Sequence, residues 1–448
     1  MSIYLQEGID NSFFRVLSAL YSPLLSAYHL KDRFQFTIYS SKYPFPLGII
    51  SINRGKNSFL QLAVIPESRG RGVAQQAIDE IIRITETRRV DWGCKKFNYP
   101  SLKILHTRKG GIFEKSSESH RGASHEGFFR VDKEVSMKMR DALAQVLPSS
   151  KEEYQRWHAT SYVLRHKERL ALRKYLFTHI KAIDSHLHVH PMQLPTSLTG
   201  EGWPQHNKFV RYISPQELLT AMHRNAIAKT IIFGVPSHDA GVSHQVNRFI
   251  LEYANSDSGR FIPFAILVDD MNVPEAIRSG FRGFKEHVYA QKLLRGRNGT
   301  FTLSSSKRKL LYAEIAKAGV PLISHMGPNV VPRVADILRK VPTLKLVIAH
   351  LGASCDGPVS WSEVQDKLKK LSQYPNVYFD ISAISDISVI EQAASCFGDK
   401  NILWGSDWPW GSMVEPPVKA IDSVIASEAL DIFSIYNIFR RNAEKLLQ

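Results

Sequence analysis

The chain carries histidines and an aspartate spaced for metal chemistry. His186 and His188 flank Leu187 in the run Ile183-Asp184-Ser185-His186-Leu187-His188. Alternation along a strand puts Asp184, His186 and His188 on one face. Two imidazoles two residues apart on a strand bind one ion together, and imidazole with carboxylate donors suits zinc, iron or manganese. Further polar residues close apolar runs downstream. They stand in Phe284-Lys285-Glu286-His287, Ser324-His325-Met326-Gly327, Ala349-His350-Leu351-Gly352 and Gly405-Ser406-Asp407-Trp408-Pro409. A single histidine at a strand end is more often structural than catalytic. Four histidines and an aspartate (His186, His188, His325, His350 and Asp407) at the ends of four such runs point to a metal site.

The elements that position these residues alternate regularly from residue 179 onward. Strand candidates are Ile180–His188, Lys229–Val235, Phe261–Val268, Gly280–Val288, Val320–Met326, Leu344–Leu351, Val377–Ala383 and Ile402–Asp407. Helical patterns lie between them, among them Pro215–Ala226, Ser243–Asn255, Lys307–Ala318, Val331–Lys340, Ser362–Ser372 and Ile387–Cys396. The link Val273–Ser279 leaves room for a helix of two turns at most. Pro417–Ser427 and Ile432–Leu447 follow the last strand. This spacing predicts βα units and a parallel sheet, and residues 179–448 match the usual size of a (β/α)8 TIM barrel, about 250 residues. An open doubly wound sheet is the alternative. The polar residues argue against it, because they fall at the C-terminal strand ends, where barrels build their active sites.

The runs Ile183–His188, Leu346-Val347-Ile348-Ala349-His350-Leu351-Gly352 and Ile402-Leu403-Trp404-Gly405-Ser406-Asp407-Trp408-Pro409 resemble the amidohydrolase superfamily. The likeness is to its amidohydrolase-related branch, which includes aminocarboxymuconate-semialdehyde decarboxylase and dicarboxylate lactonases. It covers roughly residues 180–448, with Asn442–Leu447 similar to the closing helix. The resemblance implies that His186, His188, His325 and Asp407 bind a metal, and that His350 orients or polarises water and substrate. It further implies a single divalent ion, zinc foremost with manganese or iron as alternatives, and Asp407 as the base that takes a proton from water. In binuclear relatives a fourth-strand lysine bridges two metals. In the branch matched here the corresponding Lys285 is expected to contact an anionic substrate. Hydrolysis of an amide, ester or lactone bond is the expected reaction, and non-oxidative decarboxylation is the alternative. Of the loop residues Trp203, Arg295, Arg297, Trp408 and Trp410, only Trp408 reads as more than packing or surface.

Residues 1–133 read as a separate α+β domain. The strand Phe59–Ile65 runs through a turn, Arg69-Gly70-Arg71-Gly72, into a helix with Ile78, Ile81 and Ile82 on its apolar side. Glycines at such a junction let backbone N–H groups approach phosphate. The stretch resembles the pyrophosphate loop of GNAT acetyltransferases, with Arg69, Gly72 and Ala74 at the pattern positions. That resemblance, over residues 30–132, implies acetyl-CoA on the backbone of Arg69, Gly70, Arg71, Gly72, Val73 and Ala74, with its amide arm along Leu62, Ala63 and Val64. The sequence departs from that family at the usual tyrosine acid, where Leu105 or His106 falls. A degenerate domain that does not catalyse is therefore the companion of the decarboxylase alternative.

Residues 134–178 read as a helical linker, with Arg165, Lys167, Arg169, Arg173 and Lys174 as a solvated face. The 448 residues carry a formal net charge of +16, which favours anionic small molecules. A basic scaffold binding nucleic acid is the alternative of another class. It is disfavoured, because aromatic residues are not regularly interleaved with the charges. Cys94, Cys355 and Cys396 are scattered, which excludes a thiolate zinc cluster and fits a cytoplasmic protein. No apolar run reaches the roughly 20 residues that cross a bilayer. A homodimer is compatible with the sequence.

Overall fold

The computed structural model describes residues 2–21, 33–53, 58–94, 111–114, 125–130, 166–191, 212–291, 305–352, 361–409 and 418–448, apart from positions 9, 69, 86–88, 237–238 and 289–290 within them. Arg69, Leu105, His106, Trp203, Arg295, Arg297, Trp410 and most of the expected linker lie outside the described residues. The chain divides into two compact units, Met1–His179 and Ile180–Gln448.

In the first unit, strands β1 (Ile3–Glu7), β2 (Arg33–Ser40), β3 (Tyr43–Asn53), β4 (Ser58–Val64), β5 (Arg89–Cys94), β6 (Gly111–Glu114) and β7 (His125–Arg130) form one sheet. Its order is β1-β2-β3-β4-β5-β7-β6. All pairs are antiparallel except β4 with β5, which meet in parallel at Ser58–Val90 and Phe59–Asp91. Helix α1 (Asn11–Tyr21) follows β1, and α2 (Val73–Thr85) follows the glycine turn. Gly70 and Gly72 take φ of 72° and 76°, a left-handed conformation that glycine adopts at little cost. Beyond them α2 buries Val73, Ala77, Ile78 and Ile81, an i, i+4, i+5, i+8 stripe. Ile82, expected on the apolar side, is only half-buried.

Helix α3 (His166–Ile180) departs from the expected solvated face. Arg173 is 2% exposed and its Nε donates to Glu67 Oε1 at 3.1 Å. Tyr175 stacks on Phe13 and donates to Asp10 Oδ2 at 2.8 Å. These partners lie far away in sequence, so the local charge pattern does not reveal them.

In the second unit the strands are β8 (Ala182–His188), β9 (Ile227–Phe233), β10 (Phe261–Pro263), β11 (Ala265–Ile266), β12 (Phe284–His287), β13 (Leu322–His325), β14 (Leu346–Ile348), β15 (Val377–Asp380) and β16 (Ile402–Leu403). Every pairing is parallel. β10 and β11 are one expected strand, which changes partner at Phe264. Phe264 N donates to Ile232 O of β9, and the next residue, Ala265, donates to Gly283 O beside β12. At the other end Ser185 N donates to Trp404 O and His188 N to Trp408 O, so the hydrogen bonding returns from the last strand to the first. Ile183, Ile231, Phe233, Phe264, Ile323, Val347 and Leu403 belong to the core cluster of this ring.

The intervening helices start where capping chemistry places them. Ser214 forms a capping box with Glu217 ahead of Pro215–Arg224. Asp239, Asn272, Ser305, Asp386 and Asp431 each cap a later helix through the side chain. The expected closing helix Ile432–Leu447 contains a π-turn at Asn437–Arg441. Within it, Ile438 O accepts the backbone N–H of Trp404, while Asn442 Nδ2 donates to Asp399 O and Ile402 O at 2.7 Å each. These bonds fix the short last strand.

Candidate metal centre

The strand ends leave the sheet as strained turns. β16 stops at Leu403, short of the expected Asp407, and β14 stops at Ile348, short of His350. His350, Leu351, Ala383 and Asp407 take positive φ of 53°, 50°, 60° and 52°. Such backbone costs on the order of 1–3 kcal/mol per non-glycine residue and tends to gather at functional sites. At Gly405 the chain passes so close to β8 that a Cβ would lie 2.5 Å from His186 Cβ and 3.0 Å from its N. Only glycine permits that approach, and it brings Asp407 beside the histidines.

His186, His188 and Asp407 converge, with one ligand atom from each lying within 4.8 Å of the others. Asp407 Oδ1 stands 3.4 Å from His186 Nε2 and 3.4 Å from His188 Nε2. All three side chains are buried. His186 Nδ1 bonds the Asp380 carboxylate, so Nδ1 carries the proton and the Nε2 lone pair faces Asp407. Among the described residues His186 Nε2 has no hydrogen-bond partner. An imidazole lone pair facing a buried carboxylate with no donor between them is an arrangement that a cation satisfies. The donor set therefore fits a divalent ion such as zinc.

The electrostatics favour the ligand forms. Burial, reinforced by Lys285 and neighbouring imidazoles, holds His186 and His188 well below the usual histidine range, so both are neutral. Burial raises the Asp407 carboxyl, while His350 and Lys285 pull it back. A carboxylate so placed is a better proton acceptor than an exposed one.

Asp184 plays a different part from the one alternation implied. The β8–β9 register shifts between Asp184 and Leu187, which breaks the alternation. Its Oδ1 accepts from His186 N at 3.1 Å and Ser406 N at 2.9 Å, joining the first and last strands. Burial pushes its carboxyl up to about 7 against those bonds.

The remaining expected residues gather alongside. His350 Nδ1 lies 3.0 Å from Ser382 O and 2.9 Å from Ser382 Oγ, which fixes its ring 4.7 Å from that of His186. His325 is not one of the three converging residues, although the resemblance implied it as a ligand. Its ring stacks on His287 at 3.9 Å and meets His350 edge-on at 4.6 Å. Lys285 is 1% exposed, with Nζ 5.1 Å from the Phe233 ring centre. Phe233 also sets its ring against His186 and His188, at 4.9 and 4.8 Å, and walls the site with apolar surface. Trp408 is buried and its backbone N–H donates to Ser406 Oγ.

Sequence reasoning missed Asp380 and Ser382. Asp380 closes β15 and Ser382 lies two residues beyond it in the run Phe379-Asp380-Ile381-Ser382, and Ser382 N donates to Asp380 Oδ1 at 2.6 Å. The rule that found Asp407, a polar residue ending an apolar run, applies equally to Asp380.

The amidohydrolase family matches residues 183–448, more than half of the chain, and the chain belongs to that family. Among solved structures, an amidohydrolase from Burkholderia multivorans with bound zinc is 18% identical, with a TM-score of 0.50 over 59% of this chain and 98% of that one. A probable 2-pyrone-4,6-dicarboxylic acid hydrolase from Acinetobacter baumannii, with citric acid bound, is 16% identical, covering 60% and 99% at a TM-score of 0.48. A 5-carboxyvanillate decarboxylase from Sphingomonas paucimobilis is 12% identical, covering 60% and 99% at 0.46. No curated protein matches the chain. Among the described residues no helix is long and apolar enough to cross a membrane.

Proposed function

We propose that residues 179–448 form a (β/α)8-barrel hydrolase that uses one divalent ion, zinc foremost, to cleave an amide, ester or lactone bond in a small anionic metabolite. The convergence of His186 Nε2, His188 Nε2 and Asp407 Oδ1 carries this reading. Held there, the ion would supply Lewis acidity toward water and a substrate oxygen. Asp407, raised by burial, receives the proton of the attacking water and delivers it to the leaving group. His350, fixed through Nδ1 by Ser382, leaves Nε2 to orient water or substrate. Lys285 offers its ammonium to a substrate carboxylate. Asp380 is a positioning residue that sets the His186 tautomer.

Product analysis tests the reaction class. Zinc-loaded protein is screened against carboxylated lactones, esters and amides and against aromatic carboxylic acids. The expected result is a new acid or amine without carbon dioxide, abolished by chelation and restored by zinc. Release of carbon dioxide from an aromatic acid would replace hydrolysis with decarboxylation.

For residues 1–133 we propose an acetyl-CoA-binding acetyltransferase domain whose product or substrate is shared with the hydrolase. The turn with left-handed Gly70 and Gly72 at the head of α2, and the parallel β4–β5 contact at Ser58–Val90 and Phe59–Asp91, support it.

A further inference from the structure

We infer that His190 is a substrate-contact residue that receives the second carboxylate of a diacid substrate, one strand repeat outward from the proposed ion. The inference rests on the metal-site reading above and extends it to substrate class. His190 continues the spacing of His186 and His188, and Val189 N donates to Phe233 O at 3.0 Å, so the ladder with β9 carries on past β8. The His188 and His190 rings lie 2° from parallel with centres 6.2 Å apart. That is the stacking of side chains two residues apart on one face of a strand, whose repeat is about 6.6 Å. His190 therefore stands farther along toward the C-terminal mouth of the ring, where barrel substrates enter.

His190 is 3% exposed, and its Nε2 is buried without a hydrogen-bond partner among the described residues. Buried polar atoms are nearly always satisfied, so an open one beside a site marks a place for a ligand atom. The ring does not belong to the converging group of His186, His188 and Asp407, which assigns it to substrate rather than to the ion. A molecule that reaches the ion at one end meets this nitrogen about one strand repeat away, a span of about 6.6 Å that suits the two carboxylates of a short diacid. An Nε2–H donating to a carboxylate oxygen completes both partners, and the buried Lys285 and the net charge of +16 favour such an anion.

Calorimetric binding of acetate, malonate, succinate and glutarate to zinc-loaded full-length protein tests this, with zinc content measured in parallel. Wild type is expected to prefer succinate or glutarate over acetate. His190→Leu should lose roughly tenfold in diacid affinity, with acetate binding and zinc content unchanged, while His190→Gln, which keeps a donor, retains most of it. If His190→Leu fails to fold, a His190→Gln variant that drops to the acetate level overturns the inference, and one that keeps the preference upholds it. Full diacid affinity in His190→Leu, equal loss for acetate and diacids, or loss of zinc would also overturn it. Zinc-loaded wild type that shows no diacid preference sinks the inference and leaves the metal reading intact. Wild type that binds no zinc overturns both.

Discussion

Asp407→Asn is expected to lower turnover of any hydrolysed substrate by about 10²–10⁴-fold, the usual worth of a positioned acid–base group. The amide matches the carboxylate in shape but accepts no proton. It also removes the negative charge that faces His186 Nε2 and His188 Nε2 at 3.4 Å. Asp407 sits at φ 52°, a conformation asparagine tolerates, so the backbone strain is not worsened. Steady-state rates, paired with zinc content and a melting curve, separate the two consequences. Lowered zinc content indicates a lost ligand. Low turnover with zinc retained indicates a lost base. Full turnover with zinc bound would place the base elsewhere.

Glu286→Leu is expected to cost about 3–5 kcal/mol of stability, because it removes the buried partner of a buried charge. Glu286 points away from the ring interior, opposite to Lys285. Its Oε2 accepts from Arg308 Nη2 at 2.9 Å and Tyr312 OH at 3.0 Å, and its Oε1 from Ser324 Oγ at 2.7 Å. Arg308 is 1% exposed, and its other carboxylate partner, Asp269, is half in solvent. Removing Glu286 takes the acceptor of Tyr312 OH and Ser324 Oγ and the buried carboxylate of Arg308, which keeps Asp269 and Leu267 O, on the back of the strand that carries Lys285 and His287. For a unit of this size the melting temperature should fall by roughly 6–20 °C. The double variant Glu286→Leu/Arg308→Met should recover most of the loss, since an apolar pair of similar volume often replaces a buried ion pair at little cost. Thermal denaturation of the two variants decides it. A single variant as stable as wild type would show that the network does not hold the strand.

Much of this site was legible because parallel βα units put functional residues at one kind of position, the C-terminal strand end. The runs ending in His188, His325, His350 and Asp407 were visible as apolar stretches with polar tails. What the sequence did not reveal is how those ends bend. Nothing in Ala349–Gly352 or Gly405–Asp407 announces left-handed backbone at His350, Leu351 and Asp407, and the shift after Asp184 breaks an alternation that looks regular on paper. His325 ends its strand in regular register with His287, on which its ring stacks, and stands beside the converging set of His186, His188 and Asp407. Arg173 reads as one charge among several on a helix. Its burial depends on Glu67, more than a hundred residues away, which no local pattern reports.

The most direct measurement is a zinc titration of chelator-treated full-length protein, with affinities set by a competing indicator. Wild type should take up about one zinc per chain at a site of two imidazoles and a carboxylate, and His186→Leu should take up none. Asp380→Asn should bind about 10–100-fold more weakly, as expected when the carboxylate behind a liganding histidine is neutralised. Uptake by His186→Leu equal to wild type, or no uptake by wild type, would contradict a metal centre built on His186, His188 and Asp407.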